Sequence, residues 1–251
     1  LKDKTFVFVK GFGHNLEGNR PFAPLIKLLK FFNLETHVLE TKGFGRTAEN
    51  AELVTNQLSP IMNKGKDLIV ISASAGTTQA VGGIANLDLD KSRGRISALI
   101  NLSGVIKGSF VADWASNPFV WFFLKRELFT ELNEKGAEFE SYDDMIGLLD
   151  LQTSFTERFM DQHTPFFPRN ISIFNILGVK ESTSNVDNKH IQMLQNEIIR
   201  ANLEGYGAND GYLEFPNSEI GPELSDKQVY TTTVDSSHAI MDGNYEGYDL
   251  Q

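Results

Sequence analysis

Asp67-Leu-Ile-Val-Ile-Ser-Ala-Ser-Ala-Gly-Thr-Thr-Gln-Ala80 joins an apolar run of strand length to a helix-forming run through the small residues Ser72-Ala-Ser-Ala-Gly76. A strand that feeds a helix through a tight turn lifts the turn residue's side chain above the sheet edge, so Ser74 stands there as a candidate nucleophile. The same alternation extends in both directions. Upstream, Thr5-Phe-Val-Phe-Val9 is a β-prone run ending at Gly11, and Pro24 to Phe32 carries apolar residues at helical spacing. Glu35 to Leu39 reads as a strand, and Thr47 to Met62 as a helix closed by Asn63-Lys-Gly-Lys66. Leu68 to Ser72, Ala75 to Asn86 and Ile96 to Leu102 then read as strand, helix and strand. Near-continuous apolar strands separated by helices predict an α/β fold with a mostly parallel sheet covered by helices on both faces.

The alternation pauses after Gly108. Trp114, Phe119, Trp121, Phe122, Phe123 and Phe129 crowd a helix-prone segment that runs toward His163-Thr-Pro-Phe-Phe-Pro168. We read residues 108–170 as an inserted, largely helical cap, with 1–107 and 171–251 forming the core. The sheet pattern resumes at Ile171 to Leu177, passes a polar loop and a helix at about 189–202, and finishes with Gln228 to Val234. The sequence shows no internal repeat or low-complexity tract.

Composition narrows the function. With 251 residues, 41% of them apolar and 22% charged, the chain can bury a full core as one large domain or a domain with an insertion. The absence of cysteine excludes disulfide frameworks, thiolate metal sites and cysteine nucleophiles. A net charge of -10, with 23 scattered basic residues, disfavours nucleic acid as a partner. The longest apolar stretch, Pro118 to Leu124, falls far short of the ~20 residues that cross a bilayer. Leu1-Lys-Asp-Lys4 begins no signal-peptide core, a start that a removed leader would equally leave, so cytoplasmic and exported locations both fit.

A serine hydroxyl needs a histidine to accept its proton and a carboxylate to orient that histidine. Of five histidines, His238 lies in Val234-Asp-Ser-Ser-His-Ala-Ile-Met-Asp-Gly243, just after the last strand, which delivers it to the sheet edge of Ser74. His14 follows the first strand, His37 reads as strand-internal, and His163 and His190 fall in the cap and a late helix. For the carboxylate, Gly207-Ala-Asn-Asp-Gly-Tyr212 offers Asp210 in a sharp turn, against Asp187 as a helix cap, Glu181, and Asp235, which is too near His238 in sequence. Backbone N–H groups serve a developing oxyanion without reorganisation, and two qualify: Ala75 after the serine, and Phe12 in Lys10-Gly-Phe-Gly-His-Asn15. Those glycines also suit a phosphate, but neither phosphate-loop signature is complete.

Together these residues resemble the α/β-hydrolase superfamily, and its lipase and esterase branch in particular, over nearly the whole chain. Ser72-Ala-Ser-Ala-Gly76 looks like the Gly-x-Ser-x-Gly nucleophile elbow, with Ser72 in place of the first glycine. Lys10-Gly-Phe-Gly-His-Asn15 looks like the oxyanion loop, with Lys10 in place of the usual histidine, and Asn209-Asp-Gly211 and Ser237-His238 look like the acid and histidine loops. The resemblance implies Ser74 as nucleophile, Asp210 as orienting acid, His238 as base, Phe12 and Ala75 amides as oxyanion donors, and a lid at 108–170. It also implies hydrolysis of carboxylic esters through an acyl-enzyme, with no metal or organic cofactor. Trp114, Phe119, Trp121 and Phe122 are expected to meet a hydrophobic acyl group, or else to fill the cap interior. The expected partner is a small-molecule or lipid-like ester, with transient contact at a lipid interface allowed. A thioesterase or other acyl hydrolase, and a non-catalytic binding protein on the same fold, are the alternatives.

Overall fold

A computed structural model describes residues 1–16, 21–178, 213, 215–227 and 229–234. Its centre is a six-stranded, wholly parallel sheet in the order β2-β1-β3-β4-β5-β6. The strands are β1 (Lys4–Val9), β2 (Glu35–Val38), β3 (Asp67–Ala73), β4 (Ile96–Leu102), β5 (Ser172–Gly178) and β6 (Val229–Val234). The helices are α1 (Ala23–Phe31), α2 (Thr47–Met62), α3 (Ala75–Ala85), α4 (Phe110–Ser116), α5 (Pro118–Glu134), α6 (Thr153–His163) and the short α7 (Phe215–Ser218). A 3-10 segment, Tyr142–Leu151, separates α5 from α6. No helix among the described residues is long and apolar enough to cross a membrane.

Each strand splits its apolar residues between two layers, because successive side chains point to opposite faces. Val7, Val9, Leu68, Val70 and Leu99 join Val54, Leu58, Val81 and Ile84 in the core beneath α2 and α3. Phe6, Phe8, Ile71 and Leu102 join Phe22 and Leu29 in a second core beneath α1. The two cores follow from topology: right-handed crossovers put α1 on one face as the chain steps outward from β1 to β2, and the others on the opposite face as it steps back through β3. The order therefore reverses between β1 and β3. Open parallel sheets leave a crevice beyond the strand ends at such a reversal.

The segment between β4 and β5 is helical, as its composition predicts, but its parts pack differently. Phe159 of α6 lies over Gly82 of α3, where a Cβ would stand 2.5 Å from the ring. Met160 and Phe167 sit in the main core. α6 is thus the crossover helix that returns the chain to β5. The 3-10 segment is pinned to the start of α2 by buried Asp150, which accepts from the Thr47 N–H at 2.8 Å and pairs with Arg46 at 2.6 Å. Across the sheet, Asn101 donates to Asn175 Oδ1 at 2.9 Å, and Asn175 in turn donates to Thr231 Oγ1 at 3.1 Å, so a buried amide pair on β4 and β5 reaches the exposed Thr231 of β6. The expected strand at 228–234 is β6; the helix expected at about 189–202 lies outside the described residues.

Candidate active site

Ser74 follows the last residue of β3 and caps α3 with φ 51° and ψ -135°. An L-residue rarely adopts a positive φ, and holding one there costs roughly 1–3 kcal/mol unless the surroundings enforce it. Here they do. The Ser74 N–H donates to the Leu102 carbonyl at 3.2 Å, and the Ser74 carbonyl accepts from Thr77 and Val105, both at 3.0 Å. Thr77 also donates from its hydroxyl to Asn101 Oδ1, which accepts the Gly104 N–H as well, so the turn is tied to the end of β4.

The end of β1 closes the turn from the other side. A Cβ on Gly76 would stand 2.4 Å from the Lys10 carbonyl and 2.6 Å from that of Val9, so only glycine lets α3 begin this close to β1. A Cβ on Gly11 would stand 2.9 Å from Ser74 Cβ and 3.5 Å from its Oγ. The loop after β1 therefore runs directly past the serine. Ser72, at the position of the elbow's first glycine, is fully buried, with its hydroxyl 3.5 Å from the Ile100 carbonyl. A small side chain fits between strands there.

The loop after β1 is braced by the loop after β2. Gly13, at φ 69°, donates its N–H to the Gly43 carbonyl at 2.7 Å. The Phe12 ring meets Phe44 edge to face at 4.7 Å, and Phe44 meets Phe139 at 4.6 Å. Phe129 of α5 packs against Phe139 and against Tyr142. His14 is buried with Nδ1 3.0 Å from the Gly11 carbonyl, an acceptor that assigns the proton to Nδ1. Burial, reinforced by the charge of Lys10, holds its pKa below the usual histidine value, so the ring braces the loop in its neutral form. Lys10 itself turns to Glu40 at 3.5 Å.

The parallel sheet and its flanking helices have clear counterparts among solved structures. The mature form of the Bacillus licheniformis lipase BlEst2 aligns over 96% of this chain and 87% of its own, with a TM-score of 0.67 and 17% identity. The metagenomic carboxyl esterase MGS0156 aligns over 94% of this chain with a TM-score of 0.71 and 16% identity, although the chain spans only 65% of it. EstA from Clostridium botulinum aligns over 97% of this chain and 84% of its own, with a TM-score of 0.64 and 11% identity. The chain has the α/β-hydrolase fold. Identities this low establish the fold and nothing finer. No family model and no curated protein sequence matches the chain.

Within the α/β-hydrolase fold, Ser74, Ala75 and Phe12 come together at one sheet edge: Ala75 opens α3, and Phe12 rides the loop that passes Ser74. Asp210 and His238 lie outside the described residues, as do Glu181, Asp187, Asp235 and His190. Two other histidines are engaged elsewhere. His37 sits in β2 on Glu35 at 2.9 Å, and His163 stacks on Phe159 at 4.1 Å in α6. Of the cap aromatics, Trp114, Phe119 and Phe122 are exposed and Trp121 is half-buried.

Phe44, Phe139 and Tyr142 escaped the sequence reading, yet a signal for Phe44 was present. Lys-Gly-Phe-Gly occurs at 10–13 and again at 42–45, each time just after a strand. The expectation of no internal repeat is corrected at this scale: neighbouring parallel strands bring the two tetrapeptides side by side, glycine to glycine and ring to ring.

Proposed function

We propose that this chain is a carboxylic-ester hydrolase acting through an acyl-enzyme on Ser74. The observation that carries the reading is the enforced positive φ of Ser74 at the reversal of strand order, with a glycine-rich loop pressed against it. Four other non-glycine residues among those described have positive φ, but Ser74, with ψ -135°, stands outside the left-handed helical region that Phe22 occupies at ψ 2°, in a conformation that glycine takes more readily. Serine in its place keeps a hydroxyl at a strained site, and strain of this kind marks functional turns. That a lipase and a carboxyl esterase share the fold puts an ester first among acyl substrates.

In this reading His238 takes the Ser74 proton as Oγ attacks the acyl carbonyl, and the Phe12 and Ala75 N–H groups meet the developing oxyanion. His238, oriented by Asp210, then protonates the departing alcohol. Water repeats the cycle on the acyl-serine to release the acid. Because α6 packs on the sheet as a crossover, the cap is confined to about residues 108–152, with Trp114, Phe119, Trp121 and Phe122 offering apolar surface to a small-molecule or lipid-like ester of a hydrophobic acid.

A serine-directed fluorophosphonate probe tests the enzyme reading: the chain labels on Ser74, and Ser74→Ala abolishes the label. Absence of labelling would favour a non-catalytic binder. Turnover of a p-nitrophenyl ester series against matching acyl thioesters then tests the bond; faster thioester cleavage at equal chain length would replace the esterase assignment with a thioesterase. His238→Ala lowers kcat by several orders of magnitude while the chain still folds.

A further inference from the structure

α1 covers the sheet with one face, yet its other face is apolar as well. Leu25, Ile26 and Leu29 pack on the core of Phe6, Phe8 and Ile71. On the outer side Leu28, Phe31 and Phe32 are 51%, 77% and 56% exposed, and the two phenylalanine rings meet edge to face at 5.3 Å. The i, i+3, i+4 spacing puts the three on one stripe. Single exposed apolar residues are ordinary; a contiguous group on a helix marks a contact surface.

The charge around this stripe departs from the rest of the molecule. The chain carries -10 overall, but Pro21 to Leu34 contains no aspartate or glutamate, and its only ionisable side chains are Lys27 and Lys30. Both lysines are exposed on the outer side. The next acid along the chain, Glu35, is already engaged by Lys66 at 2.8 Å and Lys64 at 3.7 Å.

Three occupants compete for such a face. A second copy docked about a two-fold axis would set Lys27 and Lys30 against their own counterparts, which repel. A protein partner brings donors and acceptors that need about one hydrogen bond per 100–200 Å² of interface, and the side chains of Ala23 to Phe32 offer only the two lysine ammonium groups and no acceptor. An anionic bilayer asks only for what is present: leucine and phenylalanine for the boundary between headgroups and acyl chains, and lysines whose ammonium groups reach the phosphates. We infer that the outer face of α1 docks this protein on anionic phospholipid membranes.

The overall negative charge does not oppose this contact strongly, because screening over about 8 Å at physiological salt hides remote acids while the two lysines touch the surface. Phe31 and Phe32 lie where α1 hands over to β2, at the end of the sheet where strands begin, whereas Ser74 follows the end of β3. Docking leaves the serine's edge open, and the inference is independent of the hydrolase reading.

Co-sedimentation with vesicles of phosphatidylcholine alone, and with about one third phosphatidylserine, tests it. The protein partitions onto the anionic vesicles only, and added salt releases it. Lys27→Glu with Lys30→Glu lowers the partition coefficient at least about 25-fold, from roughly five-fold per lysine. Phe31→Ser with Phe32→Ser lowers it too, and thermal melting of both variants stays near that of the parent, since all four side chains are exposed. The lysine pair carries the test alone if the serine pair unfolds. No partition onto anionic vesicles, or a lysine variant that binds like the parent, overturns the inference. A dimer in light scattering that Phe31→Ser with Phe32→Ser dissociates, without vesicle binding, overturns it in favour of a second copy.

Discussion

Ser74 carries its hydroxyl at a conformational cost. Its φ of 51° is maintained by hydrogen bonds to Leu102, Thr77 and Val105, each of which is backbone and survives a change of side chain. Removing the Cβ therefore relieves strain without loosening the turn. Ser74→Gly is expected to raise unfolding stability by about 1 kcal/mol, the lower end of the cost of such a conformation after allowing for glycine's extra chain entropy. Ser74→Ala keeps the Cβ and shows no comparable gain. Urea denaturation of the two variants checks this; equal stabilities would mean that the turn is unstrained. Both lose turnover. Gly76 poses the opposite case: Gly76→Ala forces a methyl onto the Lys10 carbonyl and is expected to cost about 1–3 kcal/mol as overpacking.

Between residue and molecule, the paired Lys-Gly-Phe-Gly loops form an element of their own. Phe44 is buried between Phe12 and Phe139, and the 3-10 segment presses on its backbone: a Cβ on Gly147 would stand 2.3 Å from the Phe44 carbonyl. Phe44→Ala opens space beside Phe12 and lets its amide drift. We expect kcat to fall about ten-fold or more with KM changed less, because an oxyanion donor acts in the transition state. Phe44→Leu, which fills most of the volume, restores much of the rate. A KM effect alone would reduce Phe44 to part of the acyl pocket. Strands and flanking helices were legible in the sequence because apolar periodicity reports burial, and the strand-to-helix turn at Ser74 because a run of small residues there allows a sharp turn. The role of α6 was not legible: its apolar spacing says that one side is buried, not whether against the sheet or within a cap. The contact between the two tetrapeptides was hidden for a similar reason, since identical strings reveal similarity of shape but not that β1 and β2 are neighbours.

Over the whole molecule, the two ends of the sheet carry different electrostatics. Where the strands begin, Glu35 accepts from Lys66 at 2.8 Å and bonds His37 at 2.9 Å, and its pKa falls to about 2. Because the folded value lies below the ordinary glutamate value of 4.5, the native state holds fewer protons than the unfolded chain between those two pH values. The stabilisation from Glu35 is complete above pH 4.5 and is lost as pH falls toward 2. Glu35→Gln should therefore flatten stability against pH across that window while changing little under acid; an unchanged slope would assign acid sensitivity to other carboxylates. At the opposite end, the anchors of Ser74 come from three strands. β3 leads into the residue, β4 and the loop after it supply Leu102 and Val105 as hydrogen-bond partners, and β1 leads into the loop that walls it in. In time, this means that the serine cannot be cocked until strands distant in sequence have found one another. In the proposed hydrolase a half-assembled chain would carry a relaxed, unreactive hydroxyl, and reactivity arrives only with the later of the two pairings, β1 with β3 and β3 with β4.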